Sequence, residues 1–529
     1  MTAVHVQAAT ATRRPPVVDV AIIGAGFAGL GMATLLARRG RESFVVLERA
    51  DAVGGTWRDN TYPGIACDIP AHLYSFSFRP PADWRSVYPS GAEIRRYLEQ
   101  TVDDEGLRPH IRFGAALCAA NWDAAEHVWE ITTTSSGCGG GTGVPGTHAI
   151  RARSLVMAVG RLSEPRLPEI EGLGSFPGQV VHTAEWDDAL EVEGARIGVV
   201  GTGASAVQVI PHLARVAEEL VVFSRTPPYV VPRDDRPYSD AERAAMLDPD
   251  TANAVRENML RDADRAFRQR LGLHPDIDEI RARAHTQLHT QVADPQLRAA
   301  LTPGYEIGCK RILLSDDFYL ALQQPNVTFE PSALASVTES KATARSGRRY
   351  DLDILVMATG FEAARPPAAG RIAGRDGHLL RDHWADGMVS YASTVVSGFP
   401  NFFVLDGPNA ALGHNSAIYM IETQLHYVLG ALDHLNAAGA TWLEVSADAE
   451  AAYTREIDER SASTVWLTGC DSWYVDPRSG RLTLLWPGTA ESFRERNGTF
   501  DPEPFSTGGS ASAIGCRRRR VTRETHDDA

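Results

Sequence analysis

The chain has 529 residues, of which 43% are hydrophobic and 22% are charged, and its formal net charge is −15. A chain of this length is expected to form about two to four domains with sizeable cores. The excess of negative charge argues against a surface that binds nucleic acid.

The cysteines and histidines show no metal-binding pattern. No two of the six cysteines form a C-x-x-C pair, and they stand far apart, at Cys67, Cys118, Cys138, Cys309, Cys470 and Cys516. This spacing indicates a reducing cytoplasm and predicts neither a zinc site nor a redox dithiol. The histidines form no H-E-x-x-H pattern, and no metal is expected.

The N-terminal segment predicts a soluble, cytoplasmic protein. Residues 1–16 are expected to form a flexible arm, and no signal-peptide cleavage site follows them. The apolar run from Val17 to Ala37 is almost long enough to span a membrane. Its glycines and Asp19 instead favour a buried strand, a turn and a helix, so no membrane partner is expected.

The first third of the chain shows alternating strand and helix patterns. Short apolar runs predict strands at Val17–Ile23, Phe44–Glu48 and Leu155–Gly160, and helical spacing predicts a helix at Gly29–Arg39. Ser90-x-x-Glu93 is a capping box that opens a helix running toward Glu105. Thr132–Thr147 is rich in Gly, Ser and Thr and predicts a surface loop.

The pattern then restarts. A strand at Ile197–Val200 precedes a glycine turn, a helix to about Ala217 and a strand at Leu220–Ser224. Residues 239–300 predict a helical insert. Ile354–Gly360 repeats the pattern of the strand that ends at Gly160, which indicates two similar nucleotide-binding domains. A helix is expected at 416–440, and the polar stretch from about Ser506, with Arg517–Arg520, is predicted to be disordered.

The first glycine motif, Gly24-x-Gly26-x-x-Gly29, lies between a strand and a helix. Its glycines allow a tight turn, close approach of a pyrophosphate and close helix–strand packing, and the helix N-terminus offers free N–H groups. Glu48 ends the second strand about 20 residues later, where a carboxylate can hold ribose hydroxyls. A turn that serves packing alone is the alternative.

With the Gly54-Gly55-Thr56-Trp57 stretch that follows, this unit resembles the FAD site of flavoproteins with two dinucleotide domains. Its predicted FAD-binding residues are Gly24, Gly26, Phe27, Ala28, Gly29, Glu48, Gly55, Thr56 and Trp57.

The second glycine motif, Gly201-x-Gly203-x-Ser205-Ala206, lacks an acid at the end of its second strand. Ser224-Arg225-Thr226 stands there instead. An acid would repel a 2′-phosphate, whereas a guanidinium pairs with it, so this site is predicted to prefer NADPH. The alternative is that Arg225 is a solvated surface residue. The predicted contacts are Gly201, Thr202, Gly203, Ala204, Ser205, Ala206, Arg225, Thr226, and Thr359 and Gly360 at the end of the closing strand.

A third motif lies between the two units: Phe176-x-Gly178-x-x-x-His182-x-x-x-Trp186-Asp187. It resembles the fingerprint of the type I Baeyer–Villiger monooxygenases, flavoenzymes that insert oxygen beside a ketone carbonyl. The resemblance runs from about Val17 to Phe505, with supporting pieces at Trp384–Gly387, Gly398–Asn401, Gly407–Asn409 and Gly413–Asn415. In this family the histidine is thought to support domain movement, which implies that His182 is not a base and that Phe176 and Trp186 are packing anchors.

The resemblance implies the catalytic residues. Tyr62-Pro63-Gly64-x-x-Cys67-Asp68 and Gly308-Cys309-Lys310-Arg311 are similar to the family's two active-site stretches. Arg311 would then stabilise a peroxyflavin anion and the negatively charged adduct on the ketone. Asp68 would hold Arg311 and position the nicotinamide, and Lys310 would be a second phosphate contact. A structural ion pair is the alternative for Arg311 and Asp68.

Two segments depart from the family's pattern. Arg58-Asp59-Asn60-Thr61 stands where the best-studied ketone oxidisers carry aromatic residues. Val475–Gly480 replaces a longer loop that closes over NADP in some members. Both departures leave Arg311 in place, and both concern the range of substrates and the closure of the loop at 475–488.

Together these patterns predict an FAD- and NADPH-dependent Baeyer–Villiger monooxygenase that uses O2 and a small-molecule ketone to make an ester or lactone. The fold expected is α/β, with two Rossmann-like domains and a helical insert, acting as a monomer or homodimer. The FAD domain is expected at 17–165 and 366–505, a linker at 166–195, the NADP domain at 196–238 and 301–365, the insert at 239–300 and a tail at 506–529. The alternatives are oxygenation of nitrogen or sulfur, or an uncoupled NADPH oxidase.

Overall fold

The computed structural model describes residues 14–80, 83–135, 146–271 and 275–509. The strands are β1 Val17–Ile23, β2 Phe44–Leu47, β3 Ile111–Arg112, β4 Ala116–Asp123, β5 Val128–Thr134, β6 Thr147–Met157, β7 Gln179–His182, β8 Arg196–Val200, β9 Glu219–Phe223, β10 Val230–Val231, β11 Leu313–Leu314, β12 Val327–Glu330, β13 Leu334–Thr338, β14 Lys341–Ala344, β15 Arg349–Asp351, β16 Ile354–Met357, β17 Ile372–Ala373, β18 Phe402–Val404, β19 Trp442–Val445, β20 Val475–Asp476, β21 Arg481–Leu482 and β22 Phe505–Gly508.

The α-helices are α1 Phe27–Arg38, α2 Thr56–Asp59, α3 Gly91–Asp104, α4 Ala204–Leu213, α5 Asp240–Ala245, α6 Pro249–Arg265, α7 Asp276–Gln291, α8 Pro295–Leu301, α9 Phe318–Ala321, α10 Leu380–His383, α11 Ala417–Ala438, α12 Ala447–Ser461, α13 Val465–Thr468 and α14 Ala490–Asn497.

The first sheet is built around β1. Parallel neighbours flank it, β2 on one side and β6 on the other, and β18 adds a further parallel strand beyond β6. Both faces of β1 are covered: Val20 and Ile22 pack toward α1 and α11, whereas Ala21 and Ile23 pack into a second core. Burial on two faces explains the continuous apolar run that predicted this strand.

The second sheet is fully parallel, in the order β12-β9-β8-β16-β7. Its helix α4 follows β8 through the second glycine turn, as α1 follows β1 through the first. The carboxyl ends of β1 and β8 are therefore the two crevices where dinucleotides bind in such sheets. This arrangement confirms the predicted α/β class with two Rossmann-like domains.

The two sheets are interleaved along the chain. All strands of the second sheet lie between β6 and β17, and both β17 and β18 return to the first sheet. The predicted insert region is helical and carries α5, α6, α7 and α8. No helix among the described residues combines the length and the hydrophobicity that a membrane span requires.

Two predicted element boundaries differ from the structure. The strand ending near Gly160 begins at Thr147, because its polar first half pairs with β5. Helix α4 ends at Leu213 instead of Ala217, since the Asn326 side chain binds the carbonyls of Ala214 and Ala217.

The predicted disorder from Ser506 is wrong as far as Gly508, because β22 pairs with β19 through backbone hydrogen bonds that need no apolar side chains. The Arg517–Arg520 part of that prediction, and the centre of the predicted Thr132–Thr147 loop, lie outside the described residues.

Candidate active site at the carboxyl ends of the two sheets

The first glycine turn has room for a ligand at its middle glycine. A Cβ atom at Gly24, where φ is +107°, would lie 2.5 Å from the Ala158 carbonyl oxygen, and one at Gly29 would lie 1.9 Å from the Gly24 carbonyl oxygen. Packing alone therefore requires these two glycines. At Gly26 φ is −86°, and the nearest atom to an added Cβ is Gly55 Cα at 3.7 Å. Because the protein itself does not require glycine there, the free space fits a pyrophosphate.

Glu48 braces this turn. Its carboxylate is buried and accepts hydrogen bonds from the Ala25 N–H at 2.8 Å and the Ala50 N–H at 3.0 Å. The Arg58 guanidinium donates to the same carboxylate at 2.9 Å. Arg58, one of the departures from the family's pattern, therefore offsets the charge of Glu48. The contact of Glu48 with ribose hydroxyls stays a prediction.

The second glycine turn repeats this geometry. A Cβ atom at Gly201, where φ is +114°, would lie 2.5 Å from the Ala358 carbonyl oxygen. At Gly203 φ is −80°, and no atom lies within 4 Å of an added Cβ. The Thr202 hydroxyl donates to the Thr226 carbonyl oxygen at 3.1 Å and ties the turn to the end of β9. This turn too has open space only at its middle glycine.

Two cations stand near the end of β9. Arg225 is exposed, and Lys310 is half-buried with its ammonium 4.8 Å from the centre of the Tyr305 ring. Burial lowers the pKa of Lys310, and the positive charge of Arg225 lowers it further, against the opposing effect of Asp471. Arg225 and Lys310, the two predicted phosphate contacts, are therefore close enough for their charges to repel. Two cations that bind the same phosphate would lie at such a distance.

Asp68 and Arg311 meet across a long stretch of chain. Arg311 Nε donates to Asp68 Oδ2 at 2.6 Å, although the residues are 243 positions apart. Burial opposes the charge on Asp68, but the Arg311 guanidinium outweighs it and lowers the pKa of that carboxyl. Burial likewise opposes the charge on Arg311, and Asp68 outweighs it and raises the pKa of the guanidinium. The pair is charged at neutral pH, and over a quarter of each side chain stays accessible.

The Tyr62–Asp68 segment connects the two nucleotide units. The Tyr62 hydroxyl donates to Gln208 Oε1 on α4 at 2.9 Å. A Cβ atom at Gly64, where φ is +86°, would lie 2.6 Å from the His212 ring, so only glycine allows this close approach. Asp68 is thereby placed beside the second unit, from which Arg311 comes.

Sequence reasoning missed further side chains near Arg311. Arg161 follows the glycine that ends the β6 segment and forms an ion pair with Asp406, which follows β18. Tyr474 is buried; burial raises the pKa of its hydroxyl, against the effect of Arg311 and of a second arginine, Arg270. The signal available for Arg161 and Asp406 was their place just after parallel strands. Nothing comparable marks Arg270, which lies in the insert.

The structure contains a disulfide that the spacing of the cysteines along the chain did not predict. Cys309 and Cys470 form a disulfide with a Cα–Cα distance of 6.1 Å and a sequence separation of 161. Cys118 is disulfide-bonded too, and Cys67 is free. Spacing along the chain does not report proximity in space, which is why the pair was missed. The bond ties the turn that carries Arg311 to the segment that leads to Tyr474.

The fingerprint motif is built into the second sheet. His182 ends β7, pairs with Met357 of β16, and its Nδ1 accepts a hydrogen bond from the Ala184 N–H at 3.1 Å. Burial lowers the pKa of this ring, so it is neutral at pH 7. Phe176 and Trp186 pack against different cores of the same sheet. These contacts suit packing anchors, and the part of His182 in domain movement stays a prediction.

Comparison with known proteins places this geometry in a family. A model described as an NAD(P)-binding Rossmann-like domain matches residues 22–88, and one described as L-lysine 6-monooxygenase/L-ornithine 5-monooxygenase matches residues 73–298. The second model covers less than half of the chain. The first matched range contains the first glycine turn, and the second matched range contains the second glycine turn.

Relatives over the full length are more specific. A Baeyer–Villiger monooxygenase of Streptomyces coelicolor is 42% identical over 94% of this chain and 95% of its own length. The structure of cyclohexanone monooxygenase from Rhodococcus sp. Phi1 bound to NADP+ matches 94% of this chain and 100% of that chain, with a TM-score of 0.81 and 28% identity. OTEMO in complex with FAD and NADP matches the same shares, with a TM-score of 0.81 and 26% identity. The chain belongs to the Baeyer–Villiger monooxygenase family.

Proposed function

We propose that this protein is an FAD- and NADPH-dependent monooxygenase that inserts one oxygen atom of O2 beside the carbonyl of a small-molecule ketone. The products are an ester or lactone, water and NADP+. The observation that carries the proposal is the Asp68–Arg311 pair, a fixed and partly accessible cation between two dinucleotide turns.

The two turns suit two different dinucleotides. We assign FAD to the first turn, next to Glu48, and NADPH to the second, next to Arg225 and Lys310. The related structures bound to NADP+ and to FAD and NADP support the use of both cofactors, and the free space at Gly26 and Gly203 fits a ligand at each turn. When bound, FAD accepts a hydride from NADPH and activates O2 for transfer to the ketone.

Arg311 stabilises negative charge at the reacting centre. Attack on a ketone carbonyl places charge on its oxygen, and a guanidinium that is already oriented stabilises that charge without further rearrangement. Asp68 fixes the orientation, because a charge-assisted Arg–carboxylate hydrogen bond is strong and directional. The partly dry setting strengthens both interactions relative to water.

Regarding assembly and location, we propose a monomer or homodimer in the cytoplasm. The ketone and O2 are the only partners proposed besides the two cofactors. The Cys309–Cys470 and Cys118 disulfides are unusual for that compartment, so the state of these cysteines in the cell bears directly on the proposed location.

The function is tested with purified protein, NADPH and linear, cyclic, aryl and steroid ketones, with NADPH consumption and product mass recorded together. We expect at least one ketone to give an ester or lactone that carries one oxygen atom from isotopically labelled O2. Products confined to sulfoxides or N-oxides would support the alternative oxygenation reaction. Hydrogen peroxide formed in equal amount to the NADPH consumed, with every ketone unchanged, would identify an oxidase.

A further inference from the structure

Arg270 is a buried cation without a carboxylate partner among the described residues. It ends the 3-10 turn Ala266–Arg270 that follows α6, and it is 6% exposed. Its guanidinium donates to the Ala266 carbonyl oxygen at 2.7 Å, to Gln269 Oε1 at 3.0 Å and to the Gly413 carbonyl oxygen at 3.2 Å. All three acceptors are neutral. A guanidinium has five N–H donors, so two of them have no acceptor in the described part of the chain.

The side chain lies beside the catalytic turn. Its Cγ is 3.8 Å from the position that a Cβ of Gly308 would take, and Gly308 opens the turn that carries Arg311. Its acceptor Gly413 belongs to the loop that leads into α11. Burial, opposed by Tyr474 and reinforced by repulsion from Arg311, lowers the pKa of Arg270 to about 10. Arg270 therefore stays positively charged at neutral pH and feels the charge of Arg311.

Of the three arginines near Tyr474, only Arg270 has no carboxylate partner among the described residues. Arg161, Arg270 and Arg311 all act on this tyrosine. Asp406 forms an ion pair with Arg161, and Asp68 forms one with Arg311. No third carboxylate among the described residues offsets Arg270. An unpaired buried charge is strongly unfavourable. The charge itself therefore needs an explanation.

We propose that Arg270 binds the carboxylate of the substrate, and that this enzyme selects ketones that carry a carboxylate group. The keto acid would place its carboxylate on Arg270 while its carbonyl oxygen lies against Arg311. The inference rests on the proposed function and narrows its substrate class. A guanidinium can receive a carboxylate through two parallel hydrogen bonds, and two N–H groups are available for it.

The test compares straight-chain keto acids of increasing length with their methyl esters. Each pair has the same reacting carbonyl, and the ester replaces the negative charge of the carboxylate with a methyl group. For the best pair, we expect the wild-type kcat/KM for the acid to exceed that for the ester by roughly tenfold or more, the usual effect of a hydrogen-bonded charge. Arg270→Gln keeps two N–H donors but removes the charge, and it should remove most of this preference. Arg270→Lys keeps the charge and should retain part of it.

A binding experiment provides a readout that does not depend on oxygenation. Hexanoate and hexanamide, neither of which is a ketone, are titrated into the flavin-loaded protein while the flavin absorption is recorded. We expect hexanoate to bind the wild type with a lower Kd than hexanamide, as judged from the change in flavin absorption. This difference in Kd should vanish in Arg270→Gln. The FAD content and the thermal midpoint show whether each variant is folded. If Arg270→Gln does not fold, the same titration is made with Arg270→Lys.

The outcomes separate the two proposals. If neutral ketones give esters but the acid-to-ester ratio is the same in the wild type and in Arg270→Gln, the inference about Arg270 is wrong and the proposed function stands. If Arg270→Gln raises the KM for NADPH and leaves that ratio unchanged, Arg270 holds the dinucleotide and the inference is again wrong. If no ketone is oxygenated although hexanoate binds through Arg270, the proposed function is what fails.

Discussion

Arg311 depends on Asp68 for its orientation. The carboxylate accepts the Nε–H of Arg311 at 2.6 Å, and the terminal nitrogens of the guanidinium form no hydrogen bond within the described part of the chain. A lysine at this position would carry the same charge without a planar fork, so it could not be oriented in the same way. The proposed role of Arg311 therefore requires charge combined with a fixed direction.

Replacing Arg311 by alanine is expected to abolish ester formation and to leave FAD bound. Loss of one such electrostatic contact lowers the rate by roughly a hundredfold or more. The glycine turn and Glu48 are untouched, so the FAD content per chain should match that of the wild type. Ester or lactone yield and FAD content are measured together. Arg261→Ala, which removes an exposed arginine of α6, is the matched control, and wild-type ester formation by Arg311→Ala would make Arg311 a structural residue.

The coenzyme preference is a second property carried by single residues. Arg225→Ala is expected to lower the ratio of kcat/KM for NADPH to that for NADH by roughly tenfold to a hundredfold, because a charge-assisted phosphate contact is lost. Arg215→Ala removes another exposed arginine of the same unit and serves as the control. If the ratio is unchanged in Arg225→Ala but falls in Lys310→Ala, Lys310 alone reads the phosphate.

At the scale of elements, the two turns share one design. Each has a first glycine at positive φ that packs under a closing strand, and a middle glycine with ordinary φ that faces open space. The first glycine is a requirement of the fold. The middle glycine is not required by the fold, and we assign it to the ligand, so the two roles can be separated by mutation.

Gly203→Ala is expected to weaken NADPH binding with little effect on folding. The added methyl group meets no protein atom within 4 Å, so the thermal midpoint should fall by only a few degrees, as for loss of about 1 kcal/mol at a helix N-cap. The KM for NADPH should rise by roughly tenfold or more, since the pyrophosphate must move away from the turn. Gly304→Ala, at an exposed site with equal space, is the control. An unchanged KM would mean that NADPH does not approach Gly203.

The elements that could be predicted from sequence have local causes. β1 was predicted with its correct bounds, because burial on both faces leaves a continuous apolar run in the sequence. The Ser90–Glu93 capping box was predicted with its correct partners, because both residues lie within one turn of helix. β22 was missed because its pairing with β19 depends on backbone hydrogen bonds between distant segments.

The same limit applies to the site. The glycine turns follow from local geometry, and Asp68 and Arg311 were found through resemblance. Arg270 and the Cys309–Cys470 bond were missed because only the folded chain brings their partners together.

For the whole molecule, stability should depend on pH through His414. Its side chain is fully buried, and burial lowers the pKa to about 4, with a smaller effect of Arg270 and an opposing one of Asp264. In the unfolded chain the value is about 6.5. Since the folded pKa is the lower one, the unfolded state binds more protons between the two values. Stability is therefore complete above about pH 6.5 and is lost as the pH falls toward the folded pKa, by about 3 kcal/mol in total.

The thermal midpoint measured from about pH 7 down to about pH 4.5 checks this expectation. His414→Gln should show a shallower decline than the wild type, because glutamine does not titrate. His289→Gln removes an exposed histidine of α7 and should follow the wild type. Equal slopes in all three proteins would show that His414 is already protonated or accessible in the folded state.

The interleaving of the two sheets also affects how the protein is made. The second sheet uses a continuous stretch of chain, so it can fold as soon as β16 has left the ribosome. The first sheet must wait for β18, and the Arg161–Asp406 pair spans 245 positions of sequence. Closing such a long loop is slow compared with local folding. The first glycine turn, to which we assign FAD, is therefore synthesised early but completed last. Until then the edge of β6 is open to mispairing with other chains.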